Sequence, residues 1–324
     1  MYKQILKKFS IALTALLIFG FLCHYINTYY VYQDQSNLDS KSSSNCAIDK
    51  FDSTSAQKSR YPRIIILGFA KSGTSALRSS LLMHPNIKGC RCEPRFFDLN
   101  YARGLCWYIN KVETPKPSQV VLEDSPGYVL TPKIVFPRLI KSLEQFNLKL
   151  NDLKFIIIVR HPIIRAISEY LQHGPTKPFD KLAIDSTGQA NVGYRPIKRS
   201  GYSYYIKQCL EFVPSNQICF VNGDMLRTNP VLLMNKLEKC LGLPSNISSD
   251  NFVYNKERKL YCFVEDNKVR CPSIAKKGIP HPKITRRTAD ILMKFYEPYN
   301  KELYEITGED YGWDYSYTDI GIVD

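Results

Sequence analysis

The sequence predicts an α/β protein, a single P-loop-like domain with a central parallel sheet flanked by helices, preceded by an N-terminal transmembrane helix. Three observations carry that expectation. Ile64-Ile65-Ile66-Leu67 and Phe155-Ile156-Ile157-Ile158-Val159 are unbroken apolar runs, the mark of strands buried on both faces. Each run passes through a short polar loop into helical periodicity. Phe9 to Ile26 is an apolar stretch of about 18 residues, the short end of what crosses a bilayer. Composition agrees. Of 324 residues, 44% are hydrophobic and 23% charged, which excludes a mostly disordered or collagen-like chain. A chain this long buries a full core without covalent help, so the ten cysteines are not a small-scaffold framework. The net charge of +14 predicts an anionic partner, and location decides which.

Location is read first, from the N-terminus. Residues 1–8 carry Lys3, Lys7 and Lys8, and no basic cluster closely follows the apolar stretch, so the tail is expected in the cytosol. Residues 9–31 read as a signal anchor, with Tyr25, Tyr29 and Tyr30 at interfacial depth and Tyr32 just beyond. A cleaved signal peptide needs a shorter core and a small-residue site, and His24-Tyr25-Ile26-Asn27 is no such site. Residues 32–60 are polar and Ser-rich, a flexible stem, and 61–324 form the main domain. This is the layout of a single-pass type II membrane protein with its domain in the secretory lumen. Disulfides are permitted there, and nucleic acid is not expected as the partner. Asn246-Ile247-Ser248 is the single N-x-S/T sequon, marking Asn246 for glycosylation.

The first apolar run leads into Gly68-Phe69-Ala70-Lys71-Ser72-Gly73-Thr74-Ser75, and leucines at helical spacing predict a helix over Ala76 to Met83. Strand, small-residue loop and helix aim backbone N–H groups and a helix N-terminus at an anion. Lys71 adds a mobile charge and Thr74 a hydroxyl. The loop is not a Walker A motif, because its Lys precedes the Gly by two positions. The second run ends in Arg160-His161-Pro162, with a helix expected from Ile163 to Gln172. An Arg at a strand's C-terminal edge, with Ser168 downstream, suits a second anionic group. Taken singly, each site also reads as a solvated Lys in a tight turn or a surface ion pair. Together they suit a nucleotide charged at both ends, such as 3′-phosphoadenosine 5′-phosphosulfate (PAPS).

At these residues the chain resembles the heparan sulfate glucosamine 3-O-sulfotransferases, a family of PAPS-dependent carbohydrate sulfotransferases. Lys71-Ser72-Gly73-Thr74 and Arg160…Ser168 resemble the 5′-phosphosulfate and 3′-phosphate motifs. Glu93-Pro94-Arg95-Phe96-Phe97-Asp98 resembles E-x-H-F-F-D, and Ser125-Pro126-Gly127-Tyr128 resembles S/T-P-x-Y. Tyr261-Cys262…Cys271 and Lys277-Gly278-Ile279-Pro280-His281-Pro282 resemble the cysteine loop and K-G-R-x-H-P. Phe295-Tyr296-Glu297-Pro298 through Trp313 resembles the family's C-terminal segment.

The resemblance implies the chemistry. Glu93 is the expected general base that takes the sugar hydroxyl's proton during in-line attack on sulfur. Lys71 is expected to neutralise the departing oxygen, a matter of positioning and charge stabilisation. Ser72, Gly73, Thr74, Ser75, Arg160, Ser168, Tyr261, Lys277, Gly278, Ile279, Pro280 and His281 are expected around PAPS, with Gly278 permitting close backbone approach. Arg95, Asp98, Asp124, Ser125 and Gln172 are expected toward the acceptor, a heparin-like polysaccharide. A Cys262–Cys271 disulfide is implied, and no metal is expected. The other lumenal cysteines make the total odd, so at least one is free or bonded between chains. Golgi residence follows from the resemblance and the anchor.

The chain departs from the family pattern at Ser75 and Ile279, where Arg is usual, at Arg95 for His, and at Asp124 for Lys. All four changes fall near the sulfated ligands, with Arg78, Arg91 and Arg95 as compensating cations. Alternatives are N-sulfation of glucosamine, a heparan-binding protein without catalysis, and a nucleotide kinase, the last opposed by the placement of Lys71.

Overall fold

A computed structural model describes residues 55–90, 92–172, 174, 177–257, 260–265, 268–271, 281–313 and 321–323. The expected anchor at 9–31, Arg91, and Lys277, Gly278, Ile279 and Pro280 lie outside the described residues, as does nearly all of the stem. Among the described residues no helix is long and apolar enough to cross a membrane.

The chain runs β1 (Ile64–Gly68), α1 (Thr74–Leu81), β2 (Ile87–Gly89), β3 (Val120–Asp124), α2 (Pro132–Glu144), β4 (Lys154–Val159), α3 (Pro162–Gln172), α4 (Tyr202–Leu210), β5 (Ile218–Asn222), α5 (Met225–Thr228) and α6 (Pro230–Leu241). A small antiparallel sheet follows, β6 (Phe252–Asn255), β7 (Leu260–Glu265) and β8 (Lys268–Arg270). Last come β9 (Ile284–Thr285), the long α7 (Arg286–Thr307) and β10 (Ile322–Val323). The five-stranded main sheet is parallel throughout, in the order β2-β3-β1-β4-β5. Both predicted strands are there, β1 from Ile64 and β4 from Lys154. Helix α1 begins at Thr74, two residues earlier than its leucine spacing predicts, because Gly73 at φ 108° ends the loop in a left-handed conformation and the chain turns helical at once.

Period-two alternation explains why these strands are apolar at every position. Ile65, Leu67, Phe155 and Ile157 face one layer with Phe136 and Leu139 of α2 and Tyr202 and Ile206 of α4. Ile64, Ile66, Ile156 and Ile158 face the other, against Leu77 and Leu81 of α1 and Leu233, Met234 and Leu237 of α6. Each such side chain contributes roughly 1.5–3 kcal/mol when fully buried. A third cluster joins Ile163 and Ile167 of α3 to Leu292, Met293 and Tyr296 of α7.

Helix ends follow local chemistry. Pro132 and Pro230 occupy first-turn positions where no N–H is missed, and the Asn229 side chain accepts from the Leu232 N–H at 3.1 Å. Thr285 caps α7 by accepting from the Thr288 N–H, and Gly308 at φ 68° ends it.

Strand order places the site. From β1 the chain crosses to β2 and β3 on one side, while β4 leads to β5 on the other. The C-terminal ends of β1 and β4 therefore flank a topological switch point, where open α/β sheets leave a crevice for ligands.

The expected Cys262–Cys271 disulfide is present. Cys90–Cys92 and Cys219–Cys240 are further bridges, and Cys106 is also disulfide-bonded. Among the described residues Cys209 is free. It is buried, which pushes its thiol pKa up to about 12, and it is a free thiol of the kind the odd count allows.

Candidate active site

The loop after β1 is shaped by two left-handed residues, Lys71 at φ 72° and Gly73 at φ 108°, with Ser72 between them at negative φ. Alternating signs of φ turn successive N–H groups toward one side and form an anion-binding concavity, here continued by the open first turn of α1. Thr74 and Ser75 are the first two residues of that turn. The loop is tightly seated. A Cβ at Gly223 would lie 2.2 Å from the Ser72 carbonyl oxygen, and one at Gly73 would lie 2.9 Å from Leu226 Cδ1. The β5–α5 turn is thus pressed against the loop, a contact that only glycine permits.

Arg160 follows β4 directly. Its Nε donates to Asp224 Oδ1 at 3.3 Å, and Asp224 Oδ2 accepts from the His161 N–H and from Trp313 Nε1, both at 3.1 Å. One carboxylate from the β5 edge therefore aims the Arg160 guanidinium and ties α7's trailing segment to it. Tyr202 donates its hydroxyl proton to the Arg160 carbonyl at 2.7 Å. Burial works to lower the pKa of Arg160, opposed by Asp224 and reinforced by Arg227 of α5.

Positive charge converges here. Burial holds the Lys71 ammonium below its ordinary pKa. Arg160 and Arg165 act in the same direction, while Glu169 and Glu93 oppose them. His281 is pushed down to about 4, first by burial and then by Arg160, Arg227 and Lys71. Three cations thus act on one half-buried imidazole. Ser168 lies half-buried on α3, two turns beyond Arg160. Tyr261 on β7 is half-buried, packs in the cluster containing Met225 and Leu226, and meets Tyr254 edge-on at 5.2 Å.

Beneath the loop lies a buried ionic core. Arg165, 1% exposed, donates to the Ala70 carbonyl (3.2 Å), Ser200 Oγ (2.7 Å), the Pro196 carbonyl (2.7 Å) and Glu169 Oε2 (2.7 Å). Glu169 Oε1 accepts from Arg199 at 2.6 Å. Burial alone would raise the Glu169 pKa, but the two guanidinium groups outweigh it and hold the carboxyl below its ordinary value. The backbone just before Lys71 is thereby fixed from below.

Glu93 is exposed, in a stretch without regular secondary structure after β2. Arg95 pairs with Asp98 through Nε at 2.7 Å and through its terminal nitrogen, so both residues are engaged with each other. Asp124 is 1% exposed and accepts from Arg78 at 2.9 Å. The acidic departure at 124 is thus neutralised inside the protein, and the compensation expected of Arg78 is a direct ion pair. Ser125, 0% exposed, accepts from the Arg95 N–H at 2.9 Å and donates to Glu123 Oε1 at 2.7 Å. Both residues act from beneath the surface, supporting the Glu93 segment. Burial raises the Glu123 pKa from its ordinary value, and the carboxyl also accepts from the Tyr108 hydroxyl. Gln172 is exposed at the end of α3, and Asn246 is exposed after α6.

Asp224, Arg227, Arg165 and Gly223 are absent from the residues singled out in the sequence. Asn222-Gly223-Asp224 does close an apolar run at Ile218–Val221, a third strand end at which an acidic residue beside a glycine is a readable signal.

Comparison with known proteins fits this geometry. Residues 61–305 match the model of the sulfotransferase domain family. Heparan sulfate glucosamine 3-O-sulfotransferase 5 of Mus musculus is 35% identical over 266 residues, 78% of this chain and 74% of that protein. Heparan sulfate glucosamine 3-O-sulfotransferase 6 of the same organism is 31% identical over 263 residues, 79% of this chain and 74% of that protein. A sulfotransferase from Alicyclobacillus acidocaldarius shares the fold, with a TM-score of 0.57 at 18% identity, covering 78% of this chain and 98% of that one. The chain belongs to the sulfotransferase family and, within it, to the heparan sulfate glucosamine 3-O-sulfotransferases.

Proposed function

We propose that the chain transfers a sulfuryl group from PAPS to a glucosamine residue of heparan sulfate, at the 3-hydroxyl. The observation that carries this reading is the convergence of Lys71, Arg160, Arg227 and His281 at the switch point between β1 and β4. Two cationic positions on separate strand ends match a carrier with a phosphate at each end. The Lys71–Ser75 turn would hold the 5′ end, and Arg160 with Ser168 the 3′-phosphate. PAPS supplies an activated sulfuryl group whose leaving oxygen stays with the nucleotide phosphate.

The protein's own part is to position and to move one proton. Lys71 offsets charge on the departing oxygen. Glu93, solvent-facing and acting electrostatically on Lys71, takes the sugar hydroxyl's proton, a contribution typically of about 10²–10⁴-fold. The surplus of cations draws a sulfated polysaccharide by the same charge logic as binding to a phosphate backbone. The chain is further proposed to be anchored in the Golgi membrane through residues 9–31, with this domain lumenal.

The test is incubation of the full chain with labelled PAPS and defined heparan oligosaccharides, followed by mapping of the new sulfate. Label at the glucosamine 3-oxygen is expected, and Glu93→Gln should retain nucleotide affinity while losing transfer. Label on nitrogen would move the assignment to N-sulfation, and no incorporation into any oligosaccharide would remove it.

A further inference from the structure

We infer that the Cys90–Cys92 disulfide is a positioning clamp on Glu93, and that cutting it with a thiol reductant lowers turnover without weakening nucleotide binding. The inference rests on the reading of Glu93 as the general base. Glu93 sits in a stretch with no regular secondary structure, immediately after Cys92. A base must stay within hydrogen-bond reach of its proton, and misplacement by about 1 Å costs on the order of 10²-fold.

Downstream, the stretch is well tied. The Pro94 carbonyl accepts from Asn100 Nδ2 at 2.7 Å, the Arg95 N–H donates to Ser125 Oγ at 2.9 Å, and the Arg95 carbonyl accepts from the N–H groups of Leu99 and Asn100. Upstream, the ties are different. Cys90 directly follows β2, whose Gly89 is in register with Leu122 of β3. The sulfur bridge joins Cys90 to Cys92 across a sequence separation of 2. The Cys92 carbonyl accepts from Arg78 at 3.2 Å, through the same nitrogen that holds Asp124. Arg78 belongs to α1, whose N-terminus is the donor loop. The residue before Glu93 is therefore fixed to the sheet by sulfur and to the donor-loop helix by a hydrogen bond. Base and donor are referenced to one frame.

The other two bridges with both cysteines among the described residues lie elsewhere, and Cys106 is bonded as well. Cys219–Cys240 joins β5 to α6, and Cys262–Cys271 closes the small sheet. Cys90 and Cys92 are half-buried, within reach of a small thiol. In the reductive step an external dithiol gives up two electrons and two protons. The S–S bond breaks, Cys90 and Cys92 become thiols, and the reductant becomes a disulfide.

The experiment uses the full chain in detergent, with dithiothreitol titration, differential alkylation read by mass spectrometry, and the Cys90→Ser/Cys92→Ser double variant. Labelling of Cys90 and Cys92 should track a fall in kcat of about 10- to 100-fold, with affinity for 3′-phosphoadenosine 5′-phosphate (PAP) within twofold and faster amide exchange over 93–98. Reoxidation should restore kcat. In a Glu93→Gln background, removing the bridge should add no further loss. Unchanged kcat in an active protein, additive loss with Glu93→Gln, or joint loss of PAP binding and fold would each overturn the clamp. Absence of transfer by the untreated protein would instead defeat the functional reading. The exchange measurement then still decides the clamp, and unchanged protection of 93–98 rejects it.

Discussion

Substituting Gly223 by alanine tests the seating of the donor loop by a single methyl group. The added Cβ would stand 2.2 Å from the Ser72 carbonyl oxygen and 2.9 Å from that of Val159. Both are backbone atoms, so no side chain can swing aside. Ordinary van der Waals contact begins near 3.4 Å, so the loop or the β5–α5 turn must retreat by about 1.2 Å. Overpacking of this kind costs roughly 1–3 kcal/mol, which for a domain of this size lowers Tm by about 2–4 °C per kcal/mol. The functional effect should be larger, because the displaced carbonyl adjoins the N–H groups of the anion-binding turn. Calorimetric titration with PAP is expected to show affinity reduced at least tenfold, with scanning calorimetry showing a shift of only a few degrees. Gly308→Ala is the control. Gly308, unlike Gly223, has positive φ, and its Cβ would meet open space, so about 1 kcal/mol of backbone strain is expected with PAP binding intact. Gly223→Ala binding PAP within twofold of the parent protein would refute the packing argument.

Three further outcomes are expected. Glu169→Gln leaves Arg165 and Arg199 facing an uncharged amide in a buried network, so stability should fall by about 3–5 kcal/mol in denaturant titrations. The deficit should narrow at low pH, because a carboxyl held below its ordinary pKa contributes above that value and loses its contribution as pH falls through the folded one. His281, held near 4 by burial and three cations, should rise in pKa when an anion neutralises them. PAP binding at pH 5–6 is then expected to take up a proton, measurable as a buffer-dependent binding enthalpy that vanishes in His281→Gln. Asp224→Asn keeps the shape but removes the charge that aims Arg160 and accepts from Trp313, and PAP affinity should fall about tenfold while secondary structure by circular dichroism is retained.

What was legible in the sequence was local. The donor turn declared itself because an apolar run, small residues and a lysine lie within a dozen positions, and Arg160 because it ends a second such run. Asp224, Arg227 and Gly223 act at the same place but come from a third strand, and their meaning depends on strand order, which no single segment encodes. Asp124 illustrates the same limit for charge. It reads as unwanted negative charge in an anion site until Arg78, 46 residues away in sequence, is seen to neutralise it. Cysteine pairing obeys a similar rule. The Cys262–Cys271 bridge was accessible through resemblance, whereas Cys219–Cys240 depends on α6 packing back on β5.

The order of the strands divides the crevice by depth. The Lys71–Ser75 turn and Arg160, proposed to hold the two ends of the nucleotide, grow from β1 and β4, which are flanked on both sides within the sheet. Glu93 and its neighbours grow from β2, a short strand at the rim. Of the four departures from the family pattern, Arg95 and Asp124 fall at this rim and the strand beside it, whereas Ser75 falls in the central turn, so the variation is not confined to the sheet's edge.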